Sequence, residues 1–239
     1  MKRQFSIFSY LMLILFFLSG CLSTNSDALQ AKMPTESQIV MVQTAVEQFQ
    51  EENNGILPIL TMPEGTPVYE KYIIDFKQLK NENYIGELPS SAFERGGYFQ
   101  YALIDVEENP TVKLIDVRTS QKLQQIYNRL NIYLEKNNYL PLLENITGNY
   151  FELDFDKLGY KEEQYVESPY SGQELPIIID NKGILHIDYR VDIHREMQEH
   201  NFEQYEDIRN ILTDHYPYIP AYSPNYTIED DYPIIISKD

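Results

Sequence analysis

The feature that most constrains the fold is an apolar pattern that occurs twice along the chain. In each occurrence four large side chains are spaced three or four positions apart, as on one face of an α-helix, and the second set begins 84 residues after the first. The first set is Ile39, Val42, Val46 and Phe49, and the second set is Leu123, Ile126, Leu130 and Tyr133. The sequence therefore predicts two amphipathic helices that begin two related units, and Thr35 or Ser37 is expected to cap the first helix.

Matching segments follow each helix in the same order. They are an Asn-Asn stop with a Leu-Pro segment (51–60 and 135–143), an Asp-Phe element (75–79 and 154–158), a first strand (101–105 and 176–180) and a second strand (115–118 and 187–190). Asp75 and Asp154 are expected to cap short helical turns, because an aspartate side chain accepts hydrogen bonds from backbone amides two or three residues on. The alternation of apolar residues at Ile187, Tyr189, Val191 and Ile193 indicates a strand with one buried face.

These patterns predict an α+β fold with two tandem duplicated units. Each unit is expected to pack its N-terminal amphipathic helix on a small antiparallel sheet or hairpin, since a lone hairpin is marginal in water. The predicted divisions are a signal peptide (1–20), a flexible tether (21–37), unit one (38–118), unit two (119–190) and a C-terminal helix and strand (191–239). Within the last division a helix is expected around 205–212. The run at 233–237 is either part of a truncated third unit or an edge strand.

The N-terminal segment has the order of a bacterial lipoprotein signal peptide. Lys2 and Arg3 precede an apolar stretch at residues 5–18, and Leu18-Ser19-Gly20-Cys21 closes it with small residues. A spanning helix needs roughly 20 apolar residues, so a permanent anchor is the weaker alternative. We expect cleavage before Cys21, lipidation of that cysteine, and a location on the outer face of the cytoplasmic membrane.

Composition excludes several classes of partner and chemistry. The net charge of -18 disfavours nucleic acid, and Cys21 is the sole cysteine, so neither a disulfide within the chain nor a cysteine-based metal site can form. Standard catalytic and nucleotide-binding motifs are missing, so no enzyme activity, cofactor or metal site is predicted. An enzyme would need two carboxylates, or a carboxylate and a histidine, in one cleft. The four histidines, at 186, 194, 200 and 215, are expected to be solvated surface residues.

Two other sets of side chains recur. Asp116 with Arg118, and Asp188 with Arg190, are expected to share the face of a strand as exposed ion pairs. The tyrosines are the strongest candidates for a recognition surface, although each one alone is more often a packing residue. The candidates are Tyr160, Tyr165, Tyr170, Tyr205, Tyr216, Tyr218 and Tyr222.

The lipoprotein-like start, the Asn-Asn and Leu-Pro units, the segment 110–116 and the ending around 220–223 together resemble the YphF-like lipoproteins of Bacillus-type bacteria. Some members of that family are labelled as solute-binding proteins of ABC transporters. The resemblance implies no catalytic residues. The leading hypothesis is a membrane-anchored, non-enzymatic module that binds an envelope protein or another ligand. The alternative is a solute-binding lipoprotein of an ABC transporter, which predicts a deep pocket between the two units.

Overall fold

A computed structural model of the protein describes residues 33–202 and 205–236. The predicted signal peptide, Cys21 and most of the predicted tether therefore lie outside the described residues. Across the described part of the chain, none of the helices combines the length and the apolar character needed to cross a bilayer. The structure mixes helices with antiparallel sheets, which confirms the α+β class.

Six α-helices and one 3-10 turn occur in the described residues. In chain order they are α1 (Glu36–Glu52), α2 (Val68–Lys71), α3 (Phe76–Asn81), the 3-10 turn (Phe93–Arg95), α4 (Val117–Asn137), α5 (Arg190–Glu199) and α6 (Asn210–His215).

The caps and apolar stripe of α1 confirm the sequence prediction. Thr35 accepts a hydrogen bond from the backbone of Gln38, whose side chain bonds back to the Thr35 backbone, so the two residues form a capping box. The helix ends at Glu52 with Asn53 as its C-cap, and Asn54 follows with a φ of 55°, a left-handed conformation that an α-helix does not contain. Because α1 begins at Glu36, the last residues of the predicted tether are helical.

In the part of the chain that the structure describes, nine strands form three antiparallel sheets. The strands are β1 (Phe99–Ile104), β2 (Thr111–Asp116), β3 (Leu142–Thr147), β4 (Tyr150–Leu153), β5 (Tyr165–Glu167), β6 (Glu174–Asp180), β7 (Leu185–Ile187), β8 (Tyr226–Glu229) and β9 (Tyr232–Ile235). The strands β1 and β2 form one hairpin, and β8 and β9 form another. In the five-stranded sheet the order is β3-β4-β6-β5, and β7 also pairs with β6.

Several local contacts occur in equivalent form within each half of the molecule. The buried face of α1 packs with the β1–β2 hairpin, and the buried face of α4 packs with β6 and β7. Asp75 N–H donates to the Pro58 carbonyl at 2.8 Å, and Asp154 N–H donates to the Pro141 carbonyl at 2.9 Å. The side chain of each aspartate also accepts from the amide three residues on, which confirms both as caps. These contacts agree with a duplication, whose common ancestry stays a prediction.

The predicted strand from Ile187 to Ile193 is wrong. The strand β7 ends at Ile187 and α5 begins at Arg190, because Asp188 accepts from the Arg190 amide and holds the Arg190 guanidinium at 2.5 Å. Asp116 and Arg118 make the same junction between β2 and α4. The pairs therefore join strands to helices rather than sharing the face of a strand.

Three other sequence predictions require correction. The β3–β4 hairpin was not predicted, because all of its side chains except Leu153 are exposed or only partly buried and give no clear apolar alternation. The last helix spans Asn210–His215 rather than 205–212. The final strand, β9, pairs with β8 and does not complete the larger sheet, and Ser237 of the predicted strand lies outside the described residues.

The segment 216–224 connects the two halves. It approaches β2 where Leu114 N–H donates to the Pro217 carbonyl and Ile219 N–H donates to the Leu114 carbonyl. It then reaches the second half, where Ile187 N–H donates to the Tyr222 carbonyl at 2.9 Å. This segment therefore fixes the position of the halves and forms one wall of the space between them.

Candidate functional site: a cleft between the two halves

A cleft of about 390 Å³ lies where α2, α4, β7 and the segment 216–224 meet. It is open to solvent, and its apolar lining includes Leu123 from α4 and Leu185 from β7. The polar side chains that line it are Glu70, Ser120, Gln124, Tyr127, His186, Tyr222 and Ser223. Because these residues come from four separate elements, the site depends on the packing of the two halves.

Glu70 supplies the carboxylate of the cleft. It lies in the short helix α2, and its Oε1 accepts from the Tyr222 backbone N–H at 2.9 Å. Burial raises the pKa of Glu70, and the hydrogen bond from Tyr222 only partly offsets this rise. Glu70 is thus a carboxyl whose ionised form is short of solvation, and a ligand that carries positive charge would stabilise it.

The neighbouring residue Tyr69 anchors α2 and thereby holds Glu70 in place. The Tyr69 hydroxyl donates to Asn210 Oδ1 at 2.6 Å, and the Arg209 guanidinium lies 4.7 Å from the centre of the Tyr69 ring. Burial raises the pKa of Tyr69, so this hydroxyl remains a donor at neutral pH. The helix α2 is therefore clamped between the C-terminal segment on one side and α6 on the other.

His186 lies in β7, and the prediction that it is a solvated surface histidine is wrong. Its side chain is 16% exposed, its Nε2 lies 3.3 Å from Asp180 Oδ2, and its ring meets Tyr150 edge to face. Burial lowers the pKa of His186, and the nearby Asp180 carboxylate only partly restores it. The ring is therefore neutral near pH 7 and acts in the cleft as a hydrogen-bonding group.

Tyr127 and Tyr222 complete the polar lining. The Tyr127 hydroxyl accepts from the Leu185 N–H at 2.7 Å, which leaves its own proton free to be donated. Tyr222 has a φ of 61°, a left-handed conformation that costs a residue other than glycine about 1–2 kcal/mol. Its backbone N–H and carbonyl are both bonded, to Glu70 and Ile187, and these bonds hold the strained residue in place.

The volume of the cleft suits a small molecule, since ligand pockets generally measure about 300–1,000 Å³. Its groups offer one carboxylate, one neutral imidazole, one amide and phenol hydroxyls. Among residues 33–202 and 205–236, no group of three potential metal ligands lies in this cleft. The arrangement is suited to hydrogen bonding with a polar solute and to neutralising a cation.

The structure places the seven predicted tyrosines in different environments. Tyr222 lines the cleft, while Tyr165 and Tyr218 line a separate groove of about 430 Å³ beside Arg118. Tyr170 is buried and packs against Tyr216 and Tyr218, so its ring is unavailable to a partner.

Two further tyrosines are engaged locally. The Tyr160 ring lies under the Arg129 guanidinium at 4.0 Å, and the Tyr205 hydroxyl donates to Asp214. The tyrosines therefore do not form the single recognition surface that the sequence suggested. Most of them pack the C-terminal segment and the turns against the two halves.

Sequence reasoning missed Glu70, Gln124 and Tyr127. Glu70 lies 152 positions from the backbone amide that it accepts from, and neither it nor Tyr127 belongs to a recognisable motif. The partial burial of Glu70 could be inferred only by knowing that α2 packs against the C-terminal segment.

The fold and site define the class: an α+β protein of two helix-and-sheet halves with a polar cleft between them. Residues 35–116 match the model of the YphF family N-terminal domain, from the cap of α1 to the last residue of β2. The matched residues coincide with the first half of the structure, which is therefore similar to the YphF family N-terminal domain. No curated protein and no solved structure gives a significant match to the chain.

Proposed function

We propose that this protein is an extracytoplasmic lipoprotein, anchored through Cys21, that binds a small cationic solute in the cleft between its halves. The observation that carries the proposal is Glu70. It is the only acidic side chain among the described residues that line the cleft, and the cleft residues include no lysine or arginine. A partly buried carboxylate without a cationic partner gains most from a ligand that supplies the missing charge.

The polar groups around Glu70 favour a solute that also has hydrogen-bonding ends. Tyr127 has a hydroxyl proton to donate, Gln124 offers an exposed amide, and the neutral His186 ring lies on the same wall. An ammonium or guanidinium group would face Glu70, and a carboxylate or hydroxyl of the same solute would face the tyrosine. Basic amino acids and amino alcohols such as choline have both kinds of group, and the cleft volume is within the range of small-molecule pockets.

Binding without catalysis is the function that the contacts favour. Glu70 and His186 do lie in one cleft, as an enzyme would require. However, both are engaged in structural contacts, since Glu70 holds the Tyr222 backbone and His186 contacts Asp180. Among the residues that line the cleft, Ser120 and Ser223 are the only alcohols apart from the tyrosines. Ser120 donates to the Val117 carbonyl and Ser223 accepts from Arg209, so both hydroxyls are engaged away from His186.

The alternative is that the protein delivers its solute to an ABC transporter. Such a role predicts a deep pocket between the units, whereas the cleft is open to solvent. The alternative is tested by uptake of labelled solute into cells that lack this protein. Reduced uptake, restored by the wild type but not by Glu70→Gln, would favour transport over simple binding.

The binding proposal is tested by thermal unfolding of the purified full-length protein with arginine, spermidine or choline. A ligand that binds only the folded state stabilises it by RT ln(1 + [L]/Kd), so at least one cation should raise the Tm. Citrulline is the matched neutral control for arginine. Glu70→Gln should abolish the rise, because the amide oxygen still accepts from Tyr222 but carries no charge. Glu64→Gln, at an exposed position nearby, should keep it.

The absence of any response to the three cations in the wild type would contradict the binding proposal, as would an unchanged response in Glu70→Gln. Anchoring is tested separately with Cys21→Ala, which should leave the protein soluble after cell lysis. If that variant stayed in the membrane after high-salt washing, the apolar segment would be an uncleaved anchor.

A further inference from the structure

A second cluster of chemically active side chains lies at the contact between α5 and α6. Glu196 is on α5, His200 is the residue that caps its end, and His215 is the last residue of α6. One potential ligand atom from each residue lies within 4.8 Å of the other two. The sequence did not suggest this group, because His200 and His215 are brought together only by the packing of the two helices.

Glu196 is held in a fixed position. It is almost fully buried, and its Oε1 accepts from the Arg195 guanidinium at 2.8 Å and from the Tyr216 hydroxyl at 2.9 Å. Its second oxygen, Oε2, faces His200 Nε2 at 3.5 Å. One carboxylate oxygen is thus fixed by the protein while the other points toward the imidazoles.

The His215 ring is oriented as a ligand would be. Its Nδ1 donates to the Ile211 carbonyl at 2.9 Å, because a carbonyl oxygen can only accept. In this tautomer Nε2 carries the free electron pair. Metal-binding histidines generally donate their second ring nitrogen to a carbonyl or carboxylate in this way, which fixes the tautomer.

The charge around the cluster also favours a cation. Asp192 lies one helical turn before Glu196 and is fully buried, and its Oδ1 has no hydrogen-bond partner among the described residues. Arg195 supplies one positive charge beside these two carboxylates. A divalent ion next to Glu196 would therefore enter a region with an excess of negative charge.

We propose that Glu196, His200 and His215 form a binding site for a divalent transition metal, with Zn²⁺ as the best fit. Two imidazoles and a carboxylate are a donor set that zinc favours, and three protein ligands leave a fourth position for water or another ligand. The site does not depend on the proposed solute cleft, so either can fail without the other.

Metal binding requires a small rearrangement of the histidines. Their rings stack with centres 3.6 Å apart, and two stacked rings cannot both direct a nitrogen at one ion. Ligand atoms in a tetrahedral zinc site lie about 3.3 Å apart, given Zn–N distances near 2.0–2.1 Å. His200 is the side chain that can move, since about a third of it is exposed and it follows the end of α5.

The test is calorimetric titration of tag-free, full-length protein with Zn²⁺ alone. We expect one ion per chain, with at least tenfold weaker binding in both His200→Gln and His215→Gln. His194→Gln is the matched control, because His194 lies on the same helix but packs against Tyr232. The same titration of Cys21→Ala protein excludes the free thiol as a ligand, and it should match the wild type.

A Co²⁺ titration gives an independent readout, since a tetrahedral Co²⁺ site absorbs strongly in visible light. This absorption should appear with the wild type and with His194→Gln, and it should be lost with His200→Gln. Absence of one-to-one Zn²⁺ binding in the wild type would overturn the proposal. Unchanged Zn²⁺ binding in both His200→Gln and His215→Gln would overturn it equally.

Discussion

The two halves of the molecule differ most in what their cores contain. In the described part of the first half, Ser91 is the sole fully buried polar residue, and apolar side chains from α1, β1 and β2 surround it. The second half and the C-terminal segment bury charged side chains, namely Asp180, Asp188, Asp192, Glu196 and Arg209. Buried charges cost free energy unless they are paired, so their concentration in one region indicates specialised roles there.

The difference in buried charge indicates that the two halves have different roles. The first half is a small apolar unit that contributes Glu70 to the cleft. The second half carries an additional hairpin, β3–β4, that widens its sheet. The core of the second half also includes residues of α5 and α6, where the proposed metal site lies. Both proposed sites use residues from the second half or from the C-terminal segment, which suggests that specialisation lies there.

The largest expected effect on the free energy of unfolding comes from shortening apolar side chains on the buried faces of α1 and α4. Leu130 on α4 and Val46 on α1 occupy matching positions, and both are fully buried. Leu130→Ala should lower the free energy of unfolding by about 2–5 kcal/mol, and Val46→Ala should cost less because fewer atoms are removed. Urea unfolding measures both values. A larger cost for Val46→Ala would show that the packing of the halves does not correspond.

The next largest effect concerns the junctions between strand and helix. Asp188→Ala should cost about 3 kcal/mol, because it removes a buried partner of Arg190 and the amide contact at the start of α5. Asp116→Ala should cost about 1 kcal/mol, because Arg118 is half-exposed and can be solvated. The same unfolding assay compares the two. Equal costs would contradict the distinction between a buried and an exposed junction.

A smaller effect with a defined pH dependence comes from Asp192. Burial raises the pKa of Asp192, although the hydrogen bond from Ser168 opposes this rise. The folded protein therefore keeps this proton to a higher pH than the unfolded chain, and ionisation of Asp192 destabilises the fold as the pH rises.

Asp192→Asn should consequently have a higher Tm than the wild type at pH 7, and this advantage should shrink as the pH falls toward about 4. Asp156→Asn, at an exposed position, is the control and should show no such trend. Thermal unfolding across this pH range decides the matter. A wild type that is more stable than Asp192→Asn at pH 7 would show that the charge is needed for structure.

The smallest effect compares the two capping aspartates. Asp75→Ala should cost about 1 kcal/mol through the lost cap. Asp154 makes the same cap and in addition lies 2.8 Å from the Lys157 ammonium. Burial alone would raise the pKa of Asp154, but its hydrogen bonds with Lys157 lower it. The cost of Asp154→Ala should therefore fall with added salt, while that of Asp75→Ala should not.

Local patterns were sufficient to predict the elements whose cause is local. The stripes of α1 and α4, the Thr35 cap and the turns at Asp75 and Asp154 depend on residues within a few positions of one another. The strand predicted through Ile193 failed for a related reason. Tyr189 and Ile193 are four apart, which fits a helix as well as an alternating strand, and the contact of Asp188 with the Arg190 amide marks where the helix begins.

The candidate sites could not be predicted from local sequence. Glu70 becomes a partly buried carboxylate because the segment around Tyr222 folds over α2, and His200 meets His215 because α5 packs on α6. The tyrosines were wrongly grouped as one recognition surface, since composition alone could not distinguish the buried Tyr170 from the exposed Tyr165. Long-range packing decides each of these cases.

The most direct test of the binding proposal is the affinity of the full-length protein for arginine, measured by calorimetry as a function of pH. Glu70 must be ionised to neutralise the guanidinium, so the wild-type affinity should increase as the pH rises through the raised pKa of Glu70. Glu70→Gln should bind arginine at least tenfold more weakly at pH 7 and show no such increase. Equal affinity of the two proteins across the pH range would contradict the assignment of Glu70 as the group that binds the cation.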